Sequence, residues 1–229
     1  MVKSSKPMNC STTNKLQAPC PLCKTSGAFF YHSDKRRKYY KCDTCDLVFV
    51  PVEFHLSREA EKAEYDLHEN YPNDSGYRKF LSRLATPMQE RLEAGMTGLD
   101  FGCGPGPALA AMFKEAGFKI STYDPFYFPD KAALDKQYDF ITCTEAIEHF
   151  ANPDKELDKL FSLLKHNGIL GIMTKLVRDH EAFKSWHYIN DPTHISFFSK
   201  ETFQWLAKKF HAECEFIGND VIILTSQSA

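Results

Sequence analysis

From about residue 96 to the end of the chain, short apolar runs alternate with stretches whose apolar residues recur every three or four positions. The runs predict strands over 98–101, 119–123, 140–144 and 169–174, and the stretches between them predict helices over 107–116 and 153–165. Strands and helices in alternation build a parallel sheet covered by helices. The second of these helices is the clearest: Asn152-Pro153 opens it, Leu157, Leu160, Phe161 and Leu164 share a face, and Asn167-Gly168 is expected to close it. A helix over 200–208 and a hairpin of 213–217 and 221–225 around Gly218-Asn219 complete the pattern. Upstream, 57–70 reads as a helix capped by Ser57, and 77–94 as a second one that Pro87 should break and Gly95 should stop.

A chain of 229 residues is one full domain plus a smaller unit. We expect a flexible N-terminus over 1–16, a small unit over 17–50, a helical linker or lid over 51–95 and the main domain over 96–229. The formal net charge of -2 gives no overall field for nucleic acid or anionic membrane. The longest apolar runs are strand-sized, and the lysines near the start are followed by no apolar stretch, so a cytoplasmic protein is expected.

Four of the eight cysteines form two C-x2-C pairs, Cys20/Cys23 and Cys42/Cys45, with 18 residues between them. Two such knuckles can complete a closed, tetrahedral, structural zinc site. A redox or disulfide role is the alternative. Between them the aromatic runs 29–32 and 39–41 flank Asp34-Lys35-Arg36-Arg37-Lys38, so the unit resembles a zinc ribbon with a hairpin whose basic tip is a solvated turn or a phosphate contact. So small a unit would draw most of its folding free energy from the metal. Cys10, Cys103, Cys143 and Cys214 have no partner spacing.

Between the first strand and first helix of the alternation lies Asp100-Phe-Gly102-Cys103-Gly104-Pro-Gly106, where open α/β sheets bind ligands. A dinucleotide fingerprint would need its third glycine at 107, which is proline, so nicotinamide or flavin binding is disfavoured. Acid-x-G-x-G-x-G resembles the first motif of class I S-adenosylmethionine-dependent methyltransferases. That resemblance implies a Rossmann-like doubly wound α/β sheet with a terminal antiparallel hairpin, accompanied here by the small zinc-ribbon β domain. It also implies S-adenosylmethionine as cofactor, held by Asp100, Gly102, Cys103, Gly104, Gly106, Asp124, Pro125, Thr144 and Glu145, with Asp124 taking the ribose hydroxyls. The stretch between Asp124 and Tyr138 is too short for the family's third strand, and the acid that reads the adenine amine has only Asp130 and Asp135 as candidates.

Glu145, Glu148 and His149 stand at i, i+3 and i+4, which a helix would place on one face. The string resembles ubiquinone-pathway O-methyltransferases and small-RNA 2′-O-methyltransferases, which implies a magnesium or similar ion at Glu145, Glu148 and His149, with His194 as a further ligand. The Glu can instead hydrogen-bond the loop and the His sit by the substrate. Glu148, His149 and His194 are the candidate catalytic residues, the imidazoles because they titrate near neutral pH. Trp186, Tyr188, Phe197 and Phe198 belong to an aromatic segment on the expected substrate side or in the core. The expected partner is a small-molecule acceptor. An RNA or protein methyltransferase using Lys35 to Lys38, and a non-catalytic cofactor-binding protein, are the rivals.

Overall fold

The computed structural model describes residues 16, 18–67 and 71–227. The expected loose N-terminus therefore lies almost wholly outside the described residues, as do Cys10 and the end of the 57–70 helix.

The first unit is a hairpin of β1 (Phe29–Ser33) and β2 (Lys38–Lys41), followed by β3 (Val48–Phe49). A three-residue 3-10 turn leads to α1 (Arg58–Tyr65), where Ser57 caps the Ala60 N–H as its sequence position implies. Next comes α2 (Ser75–Gln89), capped by Asp74. It runs through Pro87 where a break was expected. Pro87 lies in the last turn, and the carbonyl deprived of its N–H partner belongs to the exposed Arg83.

The main sheet then follows: β4 (Thr97–Phe101), α3 (Ala108–Glu115), β5 (Lys119–Tyr123), β6 (Tyr138–Thr144), α4 (Pro153–Ser162) and β7 (Leu164–Met173). Asn167-Gly168 does not close α4, which ends at Ser162. The pair falls inside β7, with Asn167 at a left-handed φ of 56°. The short α5 (His180–Lys184), β8 (Ser196–Phe197), α6 (Lys200–Lys209), β9 (Ala212–Ile217) and β10 (Val221–Ser226) complete the chain. The six-stranded sheet has the order β5-β4-β6-β7-β10-β9, parallel across its first four strands and antiparallel at β10 and β9. Only a 3-10 turn at Lys131–Leu134 stands between β5 and β6, so the third strand is missing and β5 forms the edge.

Alternation along the strands divides the core. Phe140, Met173, Val221 and Ile223 face α2 and α3, packing on Leu84, Met88 and Phe113. Ile141, Cys143, Leu170, Ile172 and Ile222 face the other way, onto Leu157, Leu160, Phe203 and Leu206 of α4 and α6. A third apolar cluster had no signal in the sequence. β3 pairs with β8 across nearly 150 residues, Val48 opposite Phe197 and Phe49 opposite Ser196, so the cysteine-bearing hairpin and the C-terminal segment share one sheet. Tyr39, Val48, Phe183, Ile189, Ile195 and Phe197 pack together beneath it.

Candidate active site

The carboxyl ends of β4 and β6 open into a cavity of about 460 Å³, a size suited to a small molecule and its co-substrate. Its floor is the turn after β4. Gly102 and Gly104 take left-handed φ values of 72° and 63°, and a Cβ on Gly102 would come within 2.6 Å of the Ala146 Cβ. Gly102 donates its N–H to the Tyr123 carbonyl at 2.8 Å, which fastens this turn to the end of β5. Asp100 is buried below the turn, where Thr142 Oγ1 donates to its Oδ1 at 2.9 Å. Burial pushes its carboxyl up to about 6, despite that hydrogen bond and one from the backbone.

Asp124 follows β5, and its own backbone surroundings define its part. Oδ2 accepts the Gly104 N–H at 3.0 Å, and Oδ1 accepts those of Phe126 at 2.8 Å and Tyr127 at 3.0 Å. A carboxylate has about four acceptor positions, so about one remains for a ligand.

The far end of the cavity is built by the exit of β6. Thr144 lines it with a buried Oγ1 that has no hydrogen-bond partner, a polar atom left for whatever fills the space. Glu145 adopts a left-handed φ of 47°, and the chain then makes a 3-10 turn over Ile147–His149. Glu148 is fully buried: Tyr188 Oη donates to its Oε1, and Thr174 Oγ1 to its Oε2 at 3.0 Å. His149 and His194 meet edge to face, 4.8 Å between centroids. His194 Nδ1 lies 2.8 Å from the Tyr188 carbonyl, and His149 Nδ1 lies 3.2 Å from the Thr193 carbonyl. A carbonyl only accepts, so each ring carries a proton on Nδ1, and His194 Nε2 lies 3.6 Å from Asp191 Oδ2. Burial, with His149 alongside, holds His194 down at about 4, so its ring is neutral at pH 7.

The cover comes from α1 and α2. Tyr65 sets its ring edge-on to His149 at 5.1 Å and donates its hydroxyl to Glu61, while Tyr77 and Leu81 of α2 close the side. No residue of α1 is buried, and α1 is fastened at its ends: Arg58 donates to the Pro125 carbonyl and lies over the Phe126 ring, and Tyr127 donates to Asp66.

Away from the cavity, the sulfurs of Cys20, Cys23, Cys42 and Cys45 all lie within 4.8 Å of one another, with Cys23–Cys42 at 3.4 Å and Cys20–Cys45 at 3.6 Å. The two knuckles repeat one geometry. Lys24 and Asp46, each following a second cysteine, take φ values near 60° and donate their N–H to the carbonyls of Cys20 and Cys42. Sulfurs at about 2.3 Å from a tetrahedral ion stand about 3.8 Å apart, so the set is the right size for zinc.

Residues 67–215 match the family described as the methyltransferase domain, which is well over half of the chain. The chain belongs to the methyltransferase domain family. It is 30% identical over 95 residues to the ubiquinone biosynthesis O-methyltransferase of Histophilus somni (strain 2336), a match that spans 40% of this chain and 38% of that protein. Among solved structures it is similar to Burkholderia thailandensis 1,6-didemethyltoxoflavin-N1-methyltransferase, solved with 1,6-didemethyltoxoflavin and S-adenosylhomocysteine (TM-score 0.51, 14% identity, 87% of this chain and 99% of that one). It is similar also to the complex of a Haloferax volcanii methyltransferase with its Trm112 activator (TM-score 0.50, 12% identity, 76% and 100%). Likenesses at such identity show the α/β methyltransferase fold.

Within this methyltransferase domain, the cavity gathers Asp100, Gly102, Cys103, Gly104, Asp124, Pro125, Thr144, Glu145, Glu148, His149 and His194 from four separate stretches of chain. Gly106 is not among its lining residues; its carbonyl accepts the Ala108 N–H at the start of α3. The segment 144–150 makes only a 3-10 turn at Ile147–His149, so the helical face that would have joined Glu145 to Glu148 and His149 is not formed. The ligating atoms that converge are those of Glu148, His149 and His194. Two imidazoles and a carboxylate are not the oxygen set magnesium takes, and both Glu148 oxygens already accept hydroxyl hydrogens. These residues do not fit magnesium. Tyr65, Tyr77 and Asp191 line the cavity with no signal in the sequence; the first two lie in the segment expected to be a lid, where composition reports helix and not contacts.

Proposed function

We propose that this protein transfers a methyl group from S-adenosylmethionine to an uncharged or basic small molecule. The observation that carries the reading is the continuity of one cavity from the glycine turn, Asp100 and Asp124 to His149 and His194. The cofactor supplies a methyl group on a cationic sulfur, already activated for displacement. Glycine at 102 and 104 lets the backbone approach it closely, Asp100 and Glu145 supply negative charge near its cationic end, and the remaining acceptor position of Asp124 takes a ribose hydroxyl. Thr144 Oγ1 is the further polar group that a ligand would satisfy.

At the other end the chain orients the acceptor and removes its proton. Once bound, the cofactor would supply the methyl group, leaving as the neutral thioether, and the acceptor oxygen or nitrogen would pass its proton to His194 or His149. Glu148, held by Tyr188 and Thr174, supports the imidazole that becomes charged. With His194 at about 4, proton transfer follows bond formation, when the methylated acceptor is acidic. Much of the acceleration then comes from positioning.

Charge supports a small, non-anionic acceptor over a nucleic acid. Glu61, Glu145, Glu156 and Asp191 line the cavity, and among the described residues no lysine or arginine does. Arg36 and Arg37 of the basic hairpin tip donate to backbone carbonyls, Arg37 from a buried position, and the exposed Lys35, Arg36 and Lys38 are the remaining charges there. The four cysteines are proposed to hold one structural zinc ion with no open position. Calorimetry with S-adenosylhomocysteine tests the cofactor, and methyl transfer from labelled S-adenosylmethionine across matched panels of amines, neutral phenols and sugars, carboxylates, phosphates and RNA tests the acceptor. Micromolar binding and turnover confined to the amines or neutral acceptors are expected. Absence of binding sinks the reading, and turnover of RNA or phosphates alone sinks the acceptor class.

A further inference from the structure

The hairpin tip between β1 and β2 reaches the loop that carries half of the acceptor end. Arg37 is 5% exposed although it lies on a hairpin turn. Its Nη2 donates to the carbonyls of Ile189 at 2.9 Å and Asp191 at 2.6 Å, its Nη1 to that of Pro192 at 2.9 Å, and its Nε to Tyr39 Oη at 2.9 Å. Four of its five N–H groups are thus used, each in a direction set by the planar fork. Tyr39 in turn donates to Asp34 Oδ2 at 2.7 Å, and Asp34 Oδ1 accepts the N–H groups of Arg36 and Arg37, which closes the tip on itself. Arg36 adds a hydrogen bond to the Asn190 carbonyl at 2.8 Å.

The loop so held has hydrogen bonds of its own and is rich in site residues. Tyr188 reaches Glu148, Asp191 accepts the N–H and hydroxyl of Thr193, and His194 rests on the Tyr188 carbonyl. A second tie runs in parallel: Val50 N–H donates to the Ile195 carbonyl, and Ile195 N–H donates to the Glu148 carbonyl, both at 2.9 Å. The cysteine-bearing unit and the catalytic loop are therefore joined at both ends of 188–195.

We infer that Arg37 is a positioning residue that transmits the geometry of the cysteine-bearing hairpin to Tyr188, Asp191 and His194, so that the N-terminal unit is part of the acceptor site. The link to acceptor chemistry rests on the function proposed above; the clamp itself rests on the hydrogen bonds. A lysine at 37 would keep the charge but could not reach three carbonyls and a hydroxyl at once.

The test uses the full-length, zinc-loaded protein and its Arg37→Ala and Arg37→Lys variants, with S-adenosylhomocysteine as the probe. Zinc content and affinity for S-adenosylhomocysteine should stay within about twofold, because the glycine turn and Asp124 lie at the other end of the cavity. Amide exchange at Ile189, Thr193, His194 and Ile195 should quicken by about 10- to 100-fold, the equivalent of one lost hydrogen bond to a charged group. The His194 ring nitrogens should lose the signature of a single Nδ1–H tautomer. Unchanged exchange and unchanged His194 signals in Arg37→Ala would overturn the inference, and Arg37→Lys is read in the same way should Arg37→Ala not fold. A wild-type protein that fails to bind S-adenosylhomocysteine sinks the function and leaves the exchange measurement to decide the clamp.

Discussion

Glu145 leaves the end of β6 at a φ of 47°, a backbone shape that costs a non-glycine residue of order 1–3 kcal/mol and recurs at ligand clamps. Burial and the neighbouring Glu148 push its carboxyl up to about 8, against the opposing pull of Lys175. At pH 7 it is protonated in the empty cavity, and a cationic ligand beside it favours the anion. Binding of S-adenosylmethionine at pH 7 should therefore release close to one proton, read by calorimetry in buffers of different ionisation enthalpy, and Glu145→Gln should abolish the release. Asp100, at about 6, is already mostly ionised there and adds little. For Asp124 the expectation is loss of affinity: Asp124→Ala removes a charged acceptor and strands the three N–H groups that it gathers, weakening S-adenosylhomocysteine binding by about 10- to 100-fold in the same calorimeter. Asp124→Asn keeps one acceptor oxygen and should lose less.

At the scale of elements, the cysteine unit stands on two supports. One is the thiol set, and Cys45→Ser should cost one zinc ion per chain by elemental analysis and lower the melting temperature. The other is the apolar joint with the C-terminal segment. Phe183 of α5 is fully buried there against Tyr31, Tyr39 and Phe197, and Phe183→Ala should destabilise the protein by about 3–5 kcal/mol in urea titration. Elements differed in how well they could be read in advance. The knuckles, the glycine turn and the α/β alternation were legible because each rests on spacing within a few residues: two thiolates on one ion, a left-handed turn, a 3.6-residue stripe. The β3–β8 pair was not, since two strands of two residues each carry no period. Arg37 was unreadable for a related reason: a basic residue on a turn looks solvated until the chain that supplies its carbonyls is in place. The turn at 145–149 misled because i, i+3, i+4 spacing presumes a helix, and the left-handed Glu145 followed by a 3-10 turn removes it.

Across the whole molecule, the buried ionisable groups pull stability in opposite directions with pH. Glu145 and Asp100 have folded values above their ordinary ones, so the folded protein binds their protons more tightly and the stability they confer fades as pH rises, toward about 8 and about 6. His194 has the opposite sign. Its ordinary value of 6.5 falls to about 4 on folding, so between those limits the unfolded chain binds the extra proton. Its contribution is present above pH 6.5 and is lost as pH falls toward 4, at up to about 1.4 kcal/mol per pH unit. The net profile mixes these terms, so the comparison that isolates His194 is a difference: urea unfolding of wild type and His194→Asn at pH 6.5, 5.5 and 4.5. The variant should gain on the wild type steadily as pH falls through this window, whatever fixed cost the lost bond to the Tyr188 carbonyl imposes. Parallel profiles would mean that folding does not lower the His194 value, and the burial of this ring would not be what keeps it neutral at pH 7.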